Sequence, residues 1–89
     1  MNADLAPLLG NCIPDVKCES FLDSETNRIR VRPLAGQGVP VDTVIECSKY
    51  TRENHPVGTK FYATEAKVCI KPGGRYYLRA KDQTIHKLE

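Results

Sequence analysis

The strictest alternation of apolar and polar residues in the chain runs through Arg28-Ile29-Arg30-Val31-Arg32-Pro33. Ile29, Val31 and Pro33 fall on one parity and Arg28, Arg30 and Arg32 on the other, the pattern of a half-buried strand. Upstream, Val16, Cys18 and Leu22 share one face, and Lys17, Glu19, Phe21 and Asp23 share the other. Ser24-Glu25-Thr26-Asn27 between the two runs is polar and turn-like. Folding the runs about that turn sets Leu22 against Ile29 and Ser20 against Val31 on the inner face. The same register sets Asp23 against Arg28, Phe21 against Arg30 and Glu19 against Arg32 on the outer face. A register that suits both faces predicts a hairpin.

The stretch from Val41 to Asn54 reads two ways. As a helix it places Val41, Val44, Ile45, Ser48 and Thr51 on one stripe, with Asp42 as cap and His55-Pro56 as the stop. As a strand it is rich in β-branched residues, but its alternation breaks at Val44-Ile45. The helix fits the spacing better.

Thr59 to Ile70 reads as extended, and its parity flips near Thr64-Glu65, so a β-bulge or a strand break is expected there. Pro72-Gly73-Gly74 turns the chain. Tyr76, Leu78 and Ala80 then face inward, with Arg75, Tyr77 and Arg79 outward. Lys81-Asp82-Gln83 is a turn, and Thr84 to Leu88 a short last strand. Residues 1–15, with Pro7, Gly10 and Pro14, read as an irregular leading segment holding at most one apolar turn of helix, Leu5 to Leu9, stopped by Gly10.

The expectation is a single α+β domain over 16–89. It is a small, mainly antiparallel curved sheet of about five strands (β-β-α-β-β-β) with one helix packed on it, able to close toward a barrel. Eighty-nine residues allow one domain. No apolar run approaches the ~18 residues that a membrane-spanning helix needs.

The formal net charge of +2 hides an asymmetry. Residues 1–25 carry Lys17 against Asp4, Asp15, Glu19, Asp23 and Glu25, a net of −4, and residues 26–89 carry +6. The body is basic behind an acidic leading segment. Residues 1–7 show neither a cationic region nor an apolar core of a secretion signal, so a cytoplasmic protein is expected.

Cys12, Cys18, Cys47 and Cys69 lack the paired short spacings of a structural zinc site, and nothing points to an oxidising compartment. They read as reduced, small hydrophobes, and no metal or cofactor is expected. Cys69 and Arg75 have the C-x5-R spacing of a phosphate-cradling loop, yet the residues between them make a hairpin turn. Gly36-Gln37-Gly38 lacks the third glycine of a dinucleotide loop. His55 and His86 are the near-neutral bases available, and no paired-carboxylate or metal-helix spacing accompanies them. A binding module is expected rather than an enzyme.

The candidate site is therefore the two outward arginine ladders, Arg28, Arg30 and Arg32 beside Phe21, and Arg75, Tyr77 and Arg79. Lys49, Arg52, Lys60, Lys67, Lys71 and Lys81 are able to extend their field. Guanidinium groups bind phosphates and an exposed aromatic offers a base a stacking face, so nucleic acid is the expected partner. A protein partner on an exposed sheet edge or on the Phe21 and Tyr77 surface is the alternative. The ladders make one site only if the fold brings them together.

Overall fold

The structure, a computed structural model, describes residues 5–89. Residues 1–4, which include Asp4 of the acidic leading segment, lie outside the described residues. Six strands and one short helix follow in order: β1 (Cys12–Asp23), β2 (Arg28–Pro33), β3 (Ile45–Glu46), α1 (Lys49–Glu53), β4 (Lys60–Ile70), β5 (Tyr76–Ala80) and β6 (His86–Lys87). They form one sheet in the order β2-β1-β4-β5-β3, with β6 on the length of β4 that β5 leaves open. The pairs are antiparallel except β3 with β5. The sheet curls until it nearly closes, an α+β fold of barrel-like curvature.

The β1–β2 hairpin has the register its alternation predicts, from Glu19 opposite Arg32 to Asp23 opposite Arg28. Asn27, at φ 57°, closes its turn by donating its backbone N–H to Asp23 O at 2.7 Å. Strand β1 begins at Cys12, inside the stretch expected to be irregular. Ahead of it, Ala6–Leu8 form a single 3-10 turn, and Gly10 follows at φ +86°.

The parity flip in β4 is present, and the β1–β4 ladder is interrupted there, at the expected place of a bulge or break. Ala63 and Ala66 are both buried, and so is Val16 opposite Ala63. The ladder pairs Pro14 with Glu65 and Val16 with Ala63, so one residue separates the pairs on each strand. Asp15, in the gap, sits at φ +53°. Aspartate is among the few residues that enter this left-handed region at modest cost.

The helix is much shorter than its apolar spacing suggested. Ile45 and Glu46 pair with Leu78 and Arg79 as a strand, and only Lys49–Glu53 are helical. Ser48, not Asp42, caps it, accepting a hydrogen bond from Thr51 N–H at 3.4 Å. The ladder to β5 buries Ile45 without a helix, so tertiary pairing overrides the local pattern.

Leu22, expected on the inner face, is 54% exposed beside the β1–β2 turn, but inward residues of the long strands line the core, with Phe61 its largest fully buried side chain. Ala63, Ala66 and Ala80 are buried beside it, because the concave side of a tightly curled sheet leaves little room. Ser20 is the buried polar residue of β1. Its hydroxyl donates to Pro56 O at 3.4 Å and accepts from Gly58 N–H at 3.2 Å, which ties the loop before β4 to β1. Cys18 and Cys47 lie in the same core. Burial pushes the Cys18 thiol up to about 12, helped by neighbouring Cys47.

Candidate functional site

The closing seam lies between β2 and β3. There α1 places Arg52 so that its Nε donates to Ile29 O of β2 at 2.9 Å and its guanidinium also donates to Cys47 O, just past β3, at 2.6 Å. Arg52 thus replaces part of a strand ladder, and it does not join the exposed cationic field.

That closure decides what becomes of the ladders. Arg30 of β2 and Arg75 and Tyr77 at β5 line one recess of about 150 Å³, together with Lys71, Thr26, Val44, Asp23 and Glu25. Arg79 lies on the outward side of β5, two residues beyond Tyr77, and lines a separate groove of about 350 Å³ with Lys67, Lys81, Cys12, Glu65 and Asp82. The recess thus brings Arg30, Arg75 and Tyr77 together, and Arg79 lines a groove of its own. Arg28 lies at the hairpin turn, and Arg32 lies over Phe21; neither lines the recess.

The two ladders differ in their electrostatic partners. Arg30 Nε lies 2.9 Å from Asp23 Oδ2, and Arg32 Nε lies 3.3 Å from Glu19 Oε1. Asp23 thus takes Arg30, the diagonal neighbour, and not Arg28 opposite it. Its carboxyl is held below its ordinary range, first by the backbone N–H of Glu25, with Thr26 and Arg30 adding to the effect.

On the other hairpin, Lys67 of β4 stands directly opposite Arg79, and Lys71 donates its backbone N–H to Arg75 O at 2.9 Å across the turn. Cys69 stands opposite Tyr77 between them. Among the described residues, none of these four cations has a carboxylate within 4.0 Å. Glu46 of β3 is beside Arg79 in the ladder but outside that distance.

Neither aromatic presents a bare face. The Arg32 guanidinium carbon sits 4.6 Å from the Phe21 ring centre, and Lys71 Nζ sits 5.1 Å from that of Tyr77. The Tyr77 hydroxyl is held above its ordinary range, first by partial desolvation and then by Cys69 and Glu46, with Arg79 acting against them.

The remaining chemistry-bearing residues are placed as follows. His55 Nδ1 lies 3.0 Å from Thr51 O, and its ring packs edge-on against Phe61 at 5.4 Å. The Cys69-to-Arg75 segment is a hairpin turn with Gly73 and Gly74 at φ +100° and +90°. It feeds a strand, which leaves no helix start to cradle an anion. No three of His, Cys, Asp or Glu gather into a metal-holding group among the described residues. No described helix is long and apolar enough to cross a membrane. Comparison with protein-family models, with curated proteins and with solved structures finds no match to this chain.

Sequence reasoning treated Lys67 and Lys71 as peripheral. Their position opposite Arg79 and Arg75 follows from pairing β4 with β5 about the Pro72-Gly73-Gly74 turn, by the same register argument that works for the first hairpin. The recess depends on the seam, and no short-range pattern in the chain encodes that closure.

Proposed function

We propose that the chain is a small binding module that takes the phosphate backbone of a single-stranded nucleic acid on the outer face of the β4–β5 hairpin. The observation that carries this reading is the like-charged pair Lys67 and Arg79, directly opposite in the ladder, with Lys71 and Arg75 brought together by a backbone hydrogen bond at the turn, all around Tyr77. Like charges directly opposite on a sheet are destabilising. A fold that keeps Lys67 opposite Arg79 and gathers Lys71 and Arg75 at the turn presents cationic charge that an external polyanion would relieve, and Arg30 across the seam would join it on exchanging Asp23 for a phosphate. Tyr77 at its centre offers a base a stacking face once Lys71 turns to a phosphate.

Lys67, Arg79, Tyr77, Lys71, Arg75 and Arg30 carry the contact in this reading. Arg28 and Arg32 border it. The module binds and does not catalyse.

Fluorescence anisotropy with labelled single- and double-stranded oligonucleotides at about 50 and 200 mM salt tests the reading. Single strands bind at the lower salt, more tightly than duplex, and affinity falls steeply at the higher. Absence of binding at the lower salt discards the proposal. A protein retained at high salt, with no nucleic acid accompanying it, would favour an interaction module instead.

A further inference from the structure

The outer surface carries a second aromatic cluster, at the end of β4 that β5 does not pair. Lys17, Tyr62 and His86 form one cross-strand row, with Lys17 opposite Tyr62 and Tyr62 opposite His86. All three point outward, because their neighbours Val16, Cys18, Phe61, Ala63 and Ile85 are buried. The Tyr62 and His86 rings lie 5.1 Å apart with their planes inclined by 31°.

Lys60 lies two residues before Tyr62 on the same outward parity. Its ammonium is 3.9 Å from Glu19, whose other oxygen holds Arg32. Arg32 covers Phe21, and Phe21 stands opposite Arg30, which lines the seam recess with Tyr77. Aromatic rings thus recur along the outer surface from β5 across the seam to β6, each with a cation beside it. None of these outward rings belongs to the core.

We propose that a strand held on the β4–β5 face continues past Arg30 and Phe21 to a second stacking platform made by Tyr62 and His86, with Lys17 and Lys60 taking its phosphates. This rests on the function proposed above and extends it to a site in two parts. From β2 to β6 the sheet is crossed in three strand steps, about 14 Å at the usual strand spacing, and the Lys17–Tyr62–His86 row lies four residues, about 13 Å, along the strands from Phe21 and Arg30. A ligand held at Tyr77 therefore reaches the second platform only with several nucleotides beyond Arg30.

The test compares oligothymidylates of about 3 and about 12 nucleotides, lengths that fall either side of the lower end of known site sizes, at low salt. His86→Ala combined with Tyr62→Ala weakens the longer ligand about tenfold or more and leaves the shorter one unchanged. Lys17→Glu and His86→Ala alter exposed side chains, so each also reports on the platform if the double variant folds poorly. Lys17→Glu lowers the slope of log affinity against log salt by about one, whereas His86→Ala weakens binding with the slope unchanged. Wild-type binding of the longer ligand that ignores all of these changes overturns the second platform and leaves the β4–β5 reading standing. Failure of the wild type to bind either length overturns both.

Discussion

The β1–β2 and β4–β5 hairpins carry outward ladders of the same type, and the fold treats them in opposite ways. In the first, Glu19 and Asp23 on β1 hold Arg32 and Arg30 of β2. In the second, the residues facing Arg79 and Arg75 are Lys67 and Lys71. Exposed ion pairs contribute little each, so the first ladder is close to a solvated, self-satisfied strand face. The second works against the stability of its own hairpin. Arginine content alone does not mark a binding surface; the cross-strand neighbour decides whether the charge is already used.

The sharpest way to break the comparison is to open the seam that brings the two ladders together. Arg52→Ala removes two charge-assisted hydrogen bonds, to Ile29 O and Cys47 O. The expected loss is about 3 kcal/mol, allowing for the partial exposure of the guanidinium. In a domain of this size that lowers the thermal midpoint by more than about 10 °C. Arg79→Ala, at an exposed position with no ion pair among the described residues, changes stability by less than about 0.5 kcal/mol. Thermal unfolding of both variants by circular dichroism checks the contrast. Equal midpoints would mean that the seam is held by something other than Arg52.

Making the second hairpin resemble the first is the next test. Lys67→Glu with Lys71→Glu places acids opposite Arg79 and Arg75. The hairpin gains about 0.2–1 kcal/mol per pair, so the thermal midpoint rises by a few degrees. Single-strand affinity falls on the order of a hundredfold, about 2.7 kcal/mol, and the salt slope drops by at least about two. A variant that is stabilised yet binds as well as the wild type would separate the unrelieved charge from any binding role. Calorimetric unfolding together with anisotropy reads both sides.

The two hairpins were unequally legible in the sequence. The register of the first follows from a parity that holds on both faces over Glu19 to Arg32. The second obeys the same rule about Pro72-Gly73-Gly74, but its outward pairs are like-charged, so the complementarity that makes a register conspicuous is missing. Its strands and turn could be read, and its charge conflict emerges only once the register about that turn is written out. The helix was overextended because Val41, Val44 and Ile45 have helical spacing, while a partner strand more than thirty residues downstream claims Ile45. The meeting of Arg30 with Arg75 and Tyr77 depends on how far the sheet curls, which the buried alanines and the Arg52 bridge set together. The row of Lys17, Tyr62 and His86 draws on three strands and no local motif, so only the folded register assembles it.

The smallest expected effect concerns the carboxylates that neutralise the first ladder. Asp23 accepts the Glu25 N–H at 3.0 Å and pairs with Arg30, and its carboxyl is held below its ordinary range. A depressed carboxyl stabilises the fold fully above its unfolded value, and the contribution is lost as pH falls through the folded one. The wild type is therefore more stable than Asp23→Asn at pH 6, and the gap closes as pH falls below about 4. Lys67→Gln, on the hairpin without acids opposite its arginines, should keep a constant offset from the wild type over the same range. Thermal midpoints taken across that range distinguish the two behaviours. At neutral pH, Asp23→Asn also releases Arg30 into the recess beside Tyr77, so its affinity for a single strand should rise a few-fold at low salt and converge with the wild type as salt screens the charge. Reduced affinity in Asp23→Asn would mean that the carboxylate positions Arg30 for its ligand, and the first hairpin would then belong to the binding face as fully as the second.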